Sequence, residues 1–469
     1  MKRAFYTTVS ALALLAAAPA FAGNNTSTAT QAGTNGVVTV SQAGANSDST
    51  VTQGDAGDSN HATVNQDGSV SGGSSTISQT GSSNTASVTQ SDDGSGSDPI
   101  NVSTVEQGGS GNDATVNQNT ATHAVQSQSD VNQSGDNNTA NVTQVDDWQS
   151  SSVAQSSSGN IANVSQGDPA LVGGDGSFGN TSTVNQGGTG AHTANVTQSG
   201  LAGSSSVNQI GDSDDALVTQ SGWFNASSVG QAGSNDYATV SQSGGNSNVS
   251  GVSQSGPSNY ADITQVGDAN QSQVTQSSVA GGYSSEGAFP SDTGYAFVEQ
   301  IGSSNSSTID QSGGSNWAVL HQGAAGNESH ISQTGNGTFA NVSETGSDNY
   351  SEVNQSGTAT NLNLDVGISQ SGDGNTSLVN QSGTATVLNS VQNTVDIDQS
   401  GDGNDSTVNQ GGIDNEARVV QAGDYNLSNI LQGGSDNHAF VNQLSNDNIS
   451  AITQGGSNNV ATVTQGGGI

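Results

Sequence analysis

The chain has 469 residues, with 40 Asp and Glu against 3 Lys and Arg, a formal net charge of −37 at pH 7, and no cysteine. So acidic a chain lacks the clustered positive charge that binds nucleic acid, and its fold cannot rely on disulfide bonds. Low hydrophobicity with high net charge is typical of disorder, but a regular repeat along the chain favours an ordered fold.

Residues 1–22 have the pattern of a secretory signal peptide. Two basic residues precede an apolar run, Ala11–Ala18, and small residues lead up to a cleavage site after Ala22. No later segment is long and apolar enough to predict a membrane-spanning helix. We therefore expect residues 23–469 to be released as a single repeat domain without membrane insertion.

From Asn25 onward, glutamine recurs about every eleven residues at the end of a seven-residue motif, N-x-A-x-V-x-Q, as in Asn84 to Gln90. The defined positions fall on every second residue, so a strand places Asn, Ala, Val and Gln on one face and polar residues on the other. Each Gln is followed by x-G-x-x, which predicts a turn, because Gly tolerates positive φ and Asp, Ser or Asn cap the bend.

The residue four before each Gln alternates between Ser and Ala, as at Ser205, Ala216 and Ser227. The true repeat is therefore a 22-residue strand-turn-strand unit with two unlike strands. From Gln31 to Gln465 the chain has about 36 strand ends. This predicts an all-β fold, a β-solenoid of about 18 two-stranded coils with two facing, parallel, in-register sheets.

In-register stacking places Gln on Gln and Asn on Asn about 4.8 Å apart, so their side-chain amides can hydrogen-bond along the axis. We predict amide ladders at these positions. The ladder residues of the clearest repeats are Gln79, Asn84, Gln90, Gln133, Asn138, Gln144, Gln254, Asn259, Gln265, Gln443, Asn448, Gln454, Asn459 and Gln465. Glu344 replaces Gln at one position, and its partly buried charge predicts a local weak point.

Six interruptions of the repeat predict loops at coil corners, because the strand order resumes unchanged after each one. The insertions lie near residues 91–101, 119–127, 167–179, 277–295, 356–366 and 382–394.

The sequence predicts neither an enzyme nor a metal or cofactor site. No serine lies in a nucleophile motif, and the histidines lack metal-ligand spacing and are expected to be surface residues. The six are His61, His123, His192, His321, His330 and His438. Gly-Asp-Gly-Asn turns at Gly372 and Gly401 leave two alternatives open, weak calcium binding or a plain turn.

Several aromatic residues lie five positions before a ladder residue, on the outward face of their strands. They are Tyr237, Tyr260, Trp317, Phe339 and Tyr350. Two interpretations stay open: a stripe for adhesion or lateral packing, or tolerance of large residues at an exposed position.

The longer pattern Q-x-G-x-x-N-x-A-x-x-x-Q runs from Gln79 to Gln90 and recurs from Gln133, Gln254 and Gln454. In this pattern the chain resembles the curlin-repeat family of bacterial curli fibre subunits, although it carries several times their usual number of repeats. The resemblance implies a secreted structural amyloid subunit that self-assembles into extracellular fibres of a biofilm matrix and supports adhesion and aggregation. Its Gln and Asn positions would drive assembly.

By the same resemblance, the partners are other copies of the chain, a nucleator subunit and an outer-membrane export channel, and the location is a fibre at the cell surface, reached through the periplasm. Repeats without caps at either end also predict end-to-end growth. Two alternatives remain: a monomeric surface-binding solenoid of adhesin or ice-binding type, using outward residues such as Thr462 and Thr464, and a nucleating or accessory fibre component.

Overall fold

The computed structural model describes residues 24–43, 45–54, 59–68, 72–92, 101–119, 126–145, 147–167, 179–277, 294–357, 362–383 and 391–466. Strands joined by turns make up this part of the chain, which contains no helix long and apolar enough to cross a bilayer. The chain divides into two compact units, Met1–Phe224 and Asn225–Ile469. The sequence gives no sign of this division, because the same motif continues on both sides of it.

Unit 1 is built from short strands that mostly end at a ladder glutamine. Their bounds are β1 (Thr26–Gln31), β2 (Val37–Gln42), β3 (Asp48–Gln53), β4 (His61–Gly68), β5 (Ser74–Gln79), β6 (Thr85–Asp92), β7 (Val102–Gln107), β8 (Asp113–Asn119), β9 (Gln128–Gln133), β10 (Thr139–Gln144), β11 (Ser150–Gln155), β12 (Ile161–Gln166), β13 (Thr181–Gln186), β14 (Thr193–Gln198), β15 (Ser204–Gln209) and β16 (Asp215–Trp223).

Unit 2 repeats the same plan. Its strands are β17 (Ala226–Gln231), β18 (Tyr237–Asn246), β19 (Val249–Ser255), β20 (Tyr260–Val266), β21 (Gln271–Ser277), β22 (Tyr295–Ile301), β23 (Ser306–Ser312), β24 (Trp317–Gln322), β25 (Glu328–Gln333), β26 (Thr338–Glu344), β27 (Tyr350–Gly357), β28 (Leu362–Ser371), β29 (Thr376–Gly383), β30 (Val391–Ser400), β31 (Asp405–Gly411), β32 (Glu416–Gln421), β33 (Leu427–Gln432), β34 (His438–Gln443), β35 (Ile449–Gln454) and β36 (Val460–Gln465).

Within each unit, odd-numbered strands form one parallel sheet and even-numbered strands form the other. Each strand pairs in register with the strand two places along the chain, so that Gln79 of β5 lies beside Gln107 of β7 and Gln265 of β20 beside Gln300 of β22. Two successive strands make one coil, which gives eight coils from the sixteen described strands of unit 1 and ten from the twenty of unit 2. The predicted β-solenoid is confirmed.

The core lies between the two sheets and is thin. In β10, Ala140, Val142 and Gln144 are buried, while the residues between them point outward. Facing strands contribute Ser and Val or Ile in the same alternation, as Ser129 and Val131 do in β9. Such small side chains bury little apolar surface per residue, so backbone and amide hydrogen bonds must supply much of the stability.

The turns depend on glycine in two ways. Gly256 has a φ of 95°, which other residues adopt only with strain. At Gly81 the conformation is ordinary, but a Cβ atom would overlap the carbonyl group of Gly109 in the stacked turn. The sequence pattern predicts only the first of these two reasons. Residues just before the Asn position also take positive φ, as Ser83 does at 58°.

The predicted signal peptide, residues 1–22, and the middle of each predicted insertion lie outside the described residues. The undescribed middle parts are 93–100, 120–125, 168–178, 278–293, 358–361 and 384–390.

The predicted limits of two insertions, 356–366 and 382–394, were too wide. β28 already begins at Leu362 and β30 at Val391, and the two strands pair over ten residues. The additional residues of β28 therefore pair with the additional residues of β30. The insertions are near-copies in sequence, and stacking one copy on the other extends the sheet.

Candidate functional site

The predicted glutamines form hydrogen-bonded ladders along the stacked strands of each unit. The Nε2 of Gln79 donates to the Oε1 of Gln107 over 2.8 Å, and its second hydrogen reaches the backbone carbonyls of His61 and Asn84 on the facing strands at 3.0 and 3.1 Å. Gln79 is fully buried. Each ladder amide thus ties its own sheet to the next coil and to the opposite sheet.

The other predicted glutamines bond in the same way. The Nε2-to-Oε1 distances are 2.8 Å from Gln90 to Gln118, 2.8 Å from Gln133 to Gln155, 3.0 Å from Gln144 to Gln166, 2.9 Å from Gln254 to Gln276, 2.8 Å from Gln265 to Gln300, 2.9 Å from Gln432 to Gln454 and 2.9 Å from Gln443 to Gln465. In all these pairs the donor precedes the acceptor in the chain. The ladder therefore has a direction.

The predicted asparagines stack with a different bonding pattern. The Oδ1 of Asn84 accepts the backbone N–H of Asn112 at 2.9 Å, and the Oδ1 of Asn138 accepts that of Asn160 at 2.9 Å. The sequence predicts amide-to-amide bonds here, but in these two pairs the side-chain oxygen bonds the neighbouring backbone instead.

Near the end of unit 2 the Asn column makes both kinds of bond. Asn448 donates its backbone N–H and its Nδ2 to the Oδ1 of Asn426, at 3.0 and 2.9 Å, and Asn459 bonds Asn437 in the same way at 3.1 and 2.8 Å. Asn259 donates to the Oδ1 of Asp236 at 2.8 and 3.0 Å. What the column requires is a side-chain acceptor.

That requirement explains why a histidine occupies one position of the Asn column, which the Asn motif does not predict. His192 was expected at the surface, but it occupies the Asn position of β14, six residues before Gln198, and is fully buried. Its Nδ1 accepts the backbone N–H of Asp214 at 3.1 Å, and its Nε2 lies 2.7 Å from the carbonyl oxygen of Gly187. Burial lowers the pKa of His192, which favours the neutral ring that this bonding needs. Its spacing from Gln198 is the signal that could have identified it.

Glu344 is the exception in the Gln ladder and is fully buried. Its Oε2 accepts the Nε2 hydrogen of Gln322 at 2.9 Å. Burial raises the pKa of Glu344 to about 7, against the opposing effect of hydrogen bonds from Gln322, Ser351 and Ser329.

The outward aromatic residues form a stacked column on one face of unit 2. The ring centroids of Tyr237 and Tyr260 are 5.0 Å apart, those of Tyr260 and Tyr295 are 5.1 Å apart, and Trp317 and Phe339 continue the column at 4.6 and 6.1 Å. Tyr295 was missed because it fell at the edge of a predicted insertion.

Tyr350 does not belong to this column. It lies in β27, on the other sheet, 6.1 Å from the ring of His330. The shared spacing of five residues before a ladder position does not distinguish odd from even strands, which is why the sequence grouped them.

Acidic turn residues act within the stack of turns. The carboxylate of Asp402 accepts the backbone N–H of Asp373 at 2.9 Å, and that of Asp424 accepts the N–H of Asp402 at 3.0 Å. This geometry favours the plain-turn interpretation of the Gly-Asp-Gly-Asn segments. Among the residues that the structure describes, no three His, Asp or Glu side chains are grouped to hold a metal ion.

A family model for the curlin associated repeat matches residues 211–244, 302–335, 392–423 and 412–444. Each matched region contains three ladder glutamines, such as Gln311, Gln322 and Gln333 in the second. Comparison of the sequence with curated proteins gave no match. The four matched regions are therefore curlin associated repeats, and their ladder glutamines have the same spacing that recurs in the rest of the described chain.

Proposed function

We propose that this chain is a secreted structural subunit that self-assembles end to end into extracellular, curli-like amyloid fibres of a biofilm matrix, supporting adhesion and aggregation. A nucleator subunit and an outer-membrane export channel are the further partners that the curlin-repeat match suggests. The observation that carries the proposal is the direction of the Gln ladder, because a directional ladder has two different and complementary ends.

One end offers donors. Among the described strands, β36 pairs only with β34 and β35 only with β33. Gln465 donates to the backbone carbonyl of Ile449 at 2.9 Å, and the ladder direction points its other Nε2 hydrogen away from β34. The inward residues of β36 are half-buried, whereas those of β34 are buried. This edge is a template for another strand.

The other end offers acceptors. β1 pairs only with β3 and β2 only with β4 among the described strands. Gln31 and Gln42 donate to Gln53 and Gln66 at 2.8 and 2.9 Å, and no other described coil donates to their own Oε1 atoms. Donor edge meets acceptor edge only head to tail. A head-to-tail contact that does not close into a ring builds a filament.

Electron microscopy and X-ray fibre diffraction of the purified chain over time test this function. We expect fibres with a meridional reflection near 4.8 Å, the spacing of the stacked strands. Particles that stay short and discrete would instead favour the surface-binding solenoid. A chain that forms no fibres alone but shortens the lag of another subunit would indicate an accessory component.

Assembly is expected to be faster at pH 4 than at pH 8, and faster with added salt at fixed pH. The chain carries a net charge of −37 at pH 7, and Arg418 is its one strong base outside the predicted signal peptide. Joining two such chains costs electrostatic repulsion, which protonation of carboxylates removes and salt screens. The lag time of fibre formation, followed by light scattering, measures the effect. Equal lag times at the two pH values would contradict it.

A further inference from the structure

The hydrogen-bonded Gln ladder is interrupted at Glu344. Within the stack, a ladder Gln typically accepts a hydrogen bond on Oε1 and donates one through Nε2, as Gln322 does when it accepts from Gln300 at 2.8 Å and donates to Glu344 at 2.9 Å. Glu344 accepts from Gln322 but has no N–H to pass on. Gln370 lies beside Glu344 in the β26–β28 register, and the Oε1 atoms of both residues are buried without a hydrogen-bond partner. Two buried acceptor atoms are therefore adjacent at a position where the ladder needs one donor and one acceptor.

The Asn column is also interrupted, at the opposite end of β26 and β28. Thr338 and Leu364 occupy the Asn position of β26 and β28, and both are buried. Thr338 donates its hydroxyl back to Asn316 at 2.8 Å, and Leu364 has no side-chain acceptor to offer the next coil. Side-chain ladders are interrupted at both ends of the β26–β28 pair, so the backbone ladder carries this junction.

Two inward serines close to Glu344 are hydrogen-bonded. Most inward serines of this solenoid, such as Ser272 and Ser307, have a buried hydroxyl without a partner. In contrast, Ser329 receives a hydrogen bond from Gln322 at 3.1 Å and lies 2.8 Å from the hydroxyl of Ser351. Solvation of Glu344 by these hydroxyls replaces only part of what water would give a charged carboxylate.

We infer that Glu344 is a proton-dependent rung, which joins β26 to β28 when its carboxyl group carries a proton and loosens them when it is ionised. The protonated group has an O–H that donates to the Oε1 of Gln370 and completes the ladder. The ionised group leaves two acceptors facing each other inside the core, with no donor between them. This inference rests on the fold alone and does not depend on the proposed fibre function.

No other titratable side chain replaces Glu344 as the switch. β26 has no second one, and those on the strands packed against it all occupy outward positions. They are His321 on β24, Glu328 and His330 on β25, Tyr350 and Glu352 on β27, and Asp365 on β28. Of these groups, Glu328 adds its negative charge to the effect of burial in raising the pKa of Glu344 to about 7.

Because the pKa of Glu344 is raised in the folded coil, the stability of the coil falls as pH rises. The folded coil holds the Glu344 proton up to about pH 7, whereas an opened coil releases it near its ordinary pKa of 4.5. Proton binding therefore stabilises the closed coil fully below pH 4.5, and this stabilisation is lost as pH rises through 7.

Hydrogen exchange with mass spectrometry, corrected for intrinsic rates, tests the inference on the freshly purified chain. Between pH 5.5 and 8.5 we expect the opening of peptides from β26–β28 to increase on the order of tenfold in the natural protein. Glu344→Gln supplies the missing N–H, so these peptides should stay protected at every pH. Glu328→Gln, which removes an exposed carboxylate of the same region, should keep the pH dependence.

A direct titration distinguishes the switch from a general effect of charge. The chain has seven glutamates, and carboxyl ¹³C labelling of Glu should show one midpoint near pH 7 that disappears in Glu344→Gln. The inference is overturned if β26–β28 shows no pH dependence, if Glu344→Gln shows the same dependence as the natural chain, or if no glutamate titrates near pH 7.

Discussion

Replacing Thr462 with proline is expected to stop fibre growth while leaving the monomer folded. Outward residues of each strand donate their backbone N–H toward the following coil, as His438 does to the carbonyl of Asn459 at 2.8 Å and Leu444 to that of Gln465 at 2.9 Å. By the same alternation, the N–H of Thr462 points to the free side of β36. Proline removes that donor, and its ring blocks an incoming strand, yet no bond within the monomer is lost.

The variant should also act as a terminator. Its acceptor edge, at β1 and β2, is unchanged, so it can add to the donor end of a natural fibre and then block the next addition. We expect a small molar fraction of Thr462→Pro to cap natural fibre seeds, measured as the elongation rate in seeded assays. Thr462→Ala, which keeps the N–H, is the matched control and should grow normally. Elongation of Thr462→Pro at the natural rate would mean that growth does not use this edge.

Much of the fold can be predicted from the sequence because one number, the spacing between glutamines, fixes strand length, register and sheet membership together. The alternation of Ser205 and Ala216 is enough to separate the two sheets. Register in turn places Gln on Gln, and the long Gln side chain can bond its copy directly. These steps depend on the period alone.

The remaining features depend on side-chain reach and local chemistry, which a period does not encode. The short side chain of Asn84 places its Oδ1 within reach of a backbone N–H in the next coil, whereas Asn448 bonds the Asn side chain of its neighbouring coil as well. His192 can occupy the Asn position of the motif because an imidazole nitrogen replaces the amide oxygen as the hydrogen-bond acceptor. β28 and β30 are longer than predicted because two insertions pair with each other, a contact between segments that the spacing treats as interruptions.

Replacing Gln276 with leucine is expected to open the middle of unit 2. The Nε2 of Gln276 donates to Gln311 at 2.8 Å and to the backbone carbonyl of Tyr260 at 3.0 Å, and its Oε1 accepts from Gln254 at 2.9 Å. Leucine has a similar size but leaves those partners unpaired in the core. At about 1–3 kcal/mol for each buried group left without a partner, the local cost is on the order of 3 kcal/mol even after the gain from apolar burial.

The strand itself provides a control, because Gln273 lies in β21 with Gln276 but points outward and is exposed. Gln273→Leu makes the same chemical change without breaking the ladder. Hydrogen exchange of β19–β23 should show roughly 100-fold faster opening in Gln276→Leu and little change in Gln273→Leu. Local exchange is the appropriate readout, because a long repeat array does not unfold in a single two-state step. Similar protection in both variants would show that backbone pairing, rather than the amide ladder, holds the coils together.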